Sequence, residues 1–134
     1  MTADRTHKRL APLTPDELAT RLDRELPGWR LADGAIERHI DTAGWRATLM
    51  VVNVIGHLAE AAWHHPSLEV DYARVGVRLW THDANGITER DLALAKKIDE
   101  VVLWRPGHEP GSVLEGPPEG DPRHAYIVHG PKSR

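Results

Sequence analysis

No cysteine occurs anywhere in the 134 residues. Disulfides, thiolate metal sites and cysteine nucleophiles are therefore excluded outright. Phenylalanine is missing as well, and five Trp and two Tyr make up the whole aromatic complement. A core must rely on Leu, Val, Ile and Ala, with Trp at a few special places. No run approaches the roughly 18 apolar residues of a membrane span. The first eleven residues are polar and carry no apolar signal core, so a soluble, cytoplasmic protein without membrane contact is expected. A net charge of −3 and the lack of a basic stripe argue against a nucleic-acid surface. There is no G-x-G-x-x-G or Walker pattern either, so no phosphate-cradling loop is visible.

What is present reads as one domain with appendages: an arm over residues 1–12, a folded unit over 13–104, and a tail over 105–134 with six Pro and five Gly and no helical periodicity. The stretch "LTPDEL" marks a helix start, with Thr14 as N-cap, Pro15 in the first turn and Glu17 closing a capping box. Leu18, Leu22 and Leu26 follow at helical spacing. "WRLADGAIERHI" predicts a hairpin around Asp33-Gly34. From about Thr42 to His64 the pattern is helical, with Trp45, Leu49, Val52, Ile55 and Ala59 as the expected stripe. "LEVDYARVGVRLW" reads as two strands with little between them. Thr88 caps a last helix with Asp91 as its box partner. The order α-β-β-α-β-β-α predicts an α+β fold, a four-stranded antiparallel sheet with helices on one face.

The segment from Glu60 to Asp91 carries the chemistry. It contains His64, His65 and His82, with Glu60 four residues before the first and Asp91 nine after the last. Taken singly, each has an ordinary explanation. A histidine at a helix end caps carbonyls, Glu60 is a solvated helix residue, and Asp91 is a first-turn acid. A metal site needs converging ligands, and adjacent histidines diverge by about 100° on a helix, so no metal is expected. Proton transfer suits the set better. Histidine's reference pKa of about 6.5 lets one imidazole serve as acid and another as base near neutrality. Dehydration is such a reaction, since a hydroxyl must gain a proton to leave as water while a neighbouring N–H or C–H loses one.

The series Glu60, His64-His65-Pro66, Tyr72, His82, Asp91 resembles the signature of the pterin-4a-carbinolamine dehydratases, seven positions over 32 residues. "GITERDLALAKKID" is similar to that family's last helix, and the likeness covers residues 13–104. The resemblance implies an α+β domain that assembles as a homodimer or homotetramer. It implies a hydro-lyase that converts 4a-hydroxytetrahydropterin to the quinonoid dihydropterin in tetrahydrobiopterin recycling, with the pterin as substrate and no cofactor. It implies catalytic roles for His64, His65 and His82, with His64 and His82 as the acid–base pair and His65 orienting the ring. Glu60 and Asp91 would support them, Asp91 by positioning His82 or by capping alone. Trp29 and Trp63 would be substrate-binding, although Trp29 can equally be packing. Trp63 stands where the family usually has a small polar or acidic residue, which can tune the pocket or narrow it. The family also resembles non-catalytic binding modules, among them a RuBisCO assembly factor of carboxysome-bearing bacteria and a dimerisation partner of a transcription factor. The tail could serve a protein partner in that case.

Overall fold

The structure, a computed structural model, describes residues 10–130; residues 1–9 of the expected arm lie outside the described residues. Helix α1 (Pro15–Glu25) starts where Thr14 accepts from the Glu17 amide while the Glu17 carboxylate accepts from the Thr14 amide. This capping box satisfies two donors that a helix start otherwise leaves unpaired. The helix ends at Leu26, ahead of Pro27-Gly28. Strands β1 (Arg30–Ala32) and β2 (Ala35–Asp41) turn at Asp33-Gly34, both with positive φ (51° and 79°). That turn matches the twist of the strands it joins.

Helix α2 spans Trp45–Ala62, shorter than the expected 42–64. At its start Thr42 is held outside the helix, its hydroxyl bonded to that of Thr48 (2.7 Å). The buried stripe also differs from the expected one. Thr48, Val51, Ile55 and Ala59 face inward, while Trp45 and Leu49 are exposed. Hydropathy alone favoured the larger apolar residues, but Thr48 is tolerated inside because Thr42 and the Tyr72 carbonyl (3.0 Å) pair with its hydroxyl. Strands β3 (Ser67–Asp71) and β4 (Arg74–Leu79) follow, joined by the two residues Tyr72 and Ala73. Helix α3 (Glu89–Val102) closes the series with a full Thr88–Asp91 capping box.

The four strands form one antiparallel sheet in the order β1-β2-β4-β3. Ile36 and Ile40 of β2 and Val75, Val77 and Leu79 of β4 meet Leu18, Leu22, Val51, Ile55, Leu92 and Ile98 of the three helices in one core. The opposite sheet face carries ion pairs, Arg30 and Arg78 to Glu37 and Arg74 to Asp41. Its alternate residues are polar because no helix covers them. Arg21 and Lys96 join Glu25, drawing α1 to α3 and holding the Glu25 carboxyl down at about 2. No described helix is long and apolar enough to cross a membrane.

The tail returns to the body. Ile127 bridges Thr42, and the Val128 amide donates to the Asp41 carbonyl (2.9 Å). Tyr126 and Ile127 pack against the core. The "AYIVH" stretch thus docks beside the end of β2 with a single bridge rather than as a full strand.

Candidate active site

The end of α2 sets the histidines apart. Trp63 adopts a left-handed conformation (φ 53°), and Pro66 disfavours α geometry at His65. One ring then turns inward and the next outward: the His64 side chain is 11 % exposed, that of His65 49 %. A left-handed residue with a Cβ costs roughly 1–2 kcal/mol, and Gly, Asn and Asp bear that conformation best. Trp63 has little packing to offset this, being 72 % exposed and in edge contact with the His65 ring (centroids 4.9 Å). Trp63→Asn is expected to raise stability by about 1 kcal/mol; a lower thermal midpoint for the variant would refute the strain argument.

His64 Nε2 lies 2.6 Å from Asp91 Oδ1. The Asp91 side chain is fully buried, and its other oxygen accepts from the Thr81 hydroxyl (2.7 Å) and the Thr88 amide (2.9 Å). Burial of a carboxylate is costly unless its lone pairs are met, and here both oxygens are. The Thr81 hydroxyl also lies 2.8 Å from that of Thr88. Asp91 therefore meets the ring of His64, not that of His82. It reaches His82 through the chain, since Thr81 immediately precedes it.

His82 opens a short 3₁₀ turn (His82–Ala84) whose base is closed by the Thr81–Gly86 bridge. Its ring leans on Trp80, centroids 4.7 Å apart. Among the described residues no side chain hydrogen-bonds it, and it is exposed. His65 Nε2 pairs with Glu60 Oε1 at 2.7 Å; the one-turn spacing of Glu60 and His64 is not used, because the helix ends before His64 can face back. One carboxylate thus serves each histidine of the pair, and the site gathers three elements: the end of α2, the loop after β4, and the first turn of α3.

Trp29 sits elsewhere. It is buried in the core, and its indole N–H donates to Asp99 of α3 (3.0 Å). Burial pushes the Asp99 carboxyl up, against the pull of Arg38 and of the Trp29 bond. Trp29 lines a cavity of about 690 Å³ with Arg30, Arg38, His39 and His129. A second, of about 730 Å³, is formed by Trp104 and the tail. Neither is lined by His64, His65 or His82. No cluster of three His, Asp or Glu side chains suited to a metal occurs among the described residues.

Sequence reasoning missed Thr81 and gave Thr88 only a capping role. The available signal was a threonine directly before His82 where the apolar alternation of the last strand stops.

The arrangement is a buried carboxylate holding one imidazole, with a second imidazole free in the adjacent loop. It can accept a proton at one point and release one at another. The sequence profile described as Pterin 4 alpha carbinolamine dehydratase matches residues 11–101. A provisionally named pterin-4-alpha-carbinolamine dehydratase of Aquifex aeolicus is 49% identical over 90 residues, 67% of this chain and 90% of that one. A likewise provisionally named protein of Acidobacterium capsulatum is 41% identical over 93 residues, 69% of this chain and 100% of its own. A crystal structure titled transcriptional coactivator/pterin dehydratase from Brucella melitensis superposes with a TM-score of 0.63 at 33% identity, covering 68% of this chain and 98% of that one. Sequence and fold agree, and the chain belongs to the pterin-4a-carbinolamine dehydratase family.

Proposed function

We propose that the protein is a hydro-lyase that removes water from 4a-hydroxytetrahydropterin, giving the quinonoid dihydropterin in tetrahydrobiopterin recycling. The observation that carries this reading is the 2.6 Å pairing of His64 with the buried Asp91, in a chain of this family. His64 takes the proton from N5, and Asp91 stabilises the imidazolium that results. His82, with no carboxylate on its ring, gives a proton to the 4a-hydroxyl as the C4a–O bond breaks. One N–H proton is lost and the hydroxyl departs as water, and a proton passing from His64 to His82 through solvent resets the pair. His65, fixed by Glu60, orients the pterin, and the exposed Trp63 ring beside it offers an apolar wall. The protein acts as a homodimer or homotetramer joined through β3, which among the described residues pairs with β4 alone and leaves its other edge free; a monomeric mass in sedimentation equilibrium would rule that out.

The test is the dehydration rate of purified protein against the spontaneous reaction. The expected result is a clear acceleration whose pH profile responds between roughly pH 5.5 and 8, as imidazole catalysis requires. A rate no higher than the spontaneous one would turn the reading to a non-catalytic module, such as a RuBisCO assembly factor or a transcriptional dimerisation partner. The tail, which pairs with Asp41 and Thr42, would then be the surface to examine for a protein partner.

A further inference from the structure

The hydrogen bonds around Asp91 have a direction. The Thr88 hydroxyl oxygen accepts from the Arg90 amide (3.2 Å), which leaves its own proton free to donate. The Thr81 hydroxyl has one proton and places it on Asp91 Oδ2. Its oxygen is then the acceptor of the 2.8 Å bond with Thr88. The Thr88 amide, which can only donate, adds a second proton to Oδ2. Two donors on Oδ2 leave no proton on that oxygen, and an aspartate in its ordinary ionised form has acceptors only, so Oδ1 accepts from His64 Nε2. Thr81, Thr88 and Asp91 are all buried, so water does not compete for these bonds.

We infer that Thr81 is a positioning residue: with Thr88 it locks the Asp91 carboxylate so that His64 carries its proton on Nε2 and turns Nδ1, bare, to the substrate. The reactive atom of His64 is then Nδ1. This inference rests on the proposed role of His64 as the base and adds which nitrogen acts and what holds it. The orientation follows the general rule that the bond made by one ring nitrogen decides the state of the other. A hydroxyl two bonds away from the ring thereby acts on the rate without touching substrate.

The experiment is a two-bond ¹H–¹⁵N spectrum of the substrate-free protein at a pH where imidazole is neutral, with kinetics alongside. The wild type is expected to show His64 protonated at Nε2, with Nδ1 in its bare, acceptor state. Thr81→Val keeps the side-chain shape but removes the hydroxyl. It is expected to mix the two tautomers and lower kcat about tenfold with KM nearly unchanged, while Thr81→Ser restores both. An Nδ1-protonated His64 in the wild type overturns the inference, and so does a Thr81→Val protein with unaltered tautomer and kcat. Should Thr81→Val fail to fold, the wild-type spectrum and the serine variant still decide it. The spectrum needs no turnover. An Nε2-protonated His64 in a protein without dehydratase activity would leave the positioning by Thr81 standing and sink the proposed function instead.

Discussion

Replacing His64 by alanine is expected to lower kcat for dehydration by about 10²–10⁴, the usual contribution of a positioned general acid or base. The fold should survive. Most of the ring is covered, with 11 % of the side chain exposed, yet its removal leaves a single buried acceptor, Asp91 Oδ1, without a partner. A single unmet acceptor costs roughly 1–3 kcal/mol, within what a domain of this size withstands. Activity and stability are therefore expected to separate, with a near-wild-type circular dichroism spectrum and a collapsed rate. A His64→Ala protein that dehydrates within threefold of the wild type would remove His64 from the mechanism. The corresponding change at His82 tests the other half of the pair. Among the described residues no side-chain hydrogen bond is lost there, so its effect on stability should be smaller still.

Asp91 carries the second large effect, and two substitutions divide its roles. Asp91→Ala strips the acceptor from His64, from the Thr81 hydroxyl and from the Thr88 amide that begins α3. Loss of the cap costs about 1 kcal/mol, and the stranded buried donors add to it. A total of about 3 kcal/mol is expected, lowering the thermal midpoint by roughly 10 °C. Asp91→Asn is different. Its amide oxygen can still accept from Thr81 and Thr88, but the nitrogen then faces His64 and reverses the bond. Stability should fall by only about 1 kcal/mol while kcat falls by about 10²–10⁴. Equal rates for the wild type and Asp91→Asn would reduce Asp91 to a helix cap.

Much of this fold could be read along the chain. The capping residues Thr14-Glu17 and Thr88-Asp91, the Asp33-Gly34 turn and the alternation of Val75, Val77 and Leu79 are local signals, each acting within a few residues. The inward face of α2 was read less well. Trp45 and Leu49 carry more apolar area than Thr48, but burial is decided by which partners lie opposite. Thr48 has Thr42 and the Tyr72 carbonyl, and neither is its neighbour in sequence on that helix.

For the site, the sequence by itself determined the residue types and their spacing, and so the family and the kind of chemistry within reach. Only the tertiary structure decided the pairing. Asp91 stands 27 residues from His64 and nine from His82, yet its ring partner is the distant one. Glu60 was aligned with His64 by helical spacing, and it holds His65 instead. The reason is that a side chain's direction at a helix end depends on one backbone angle. At Trp63 that angle is left-handed, and it sends His64 into the body beside α3 and His65 out toward solvent.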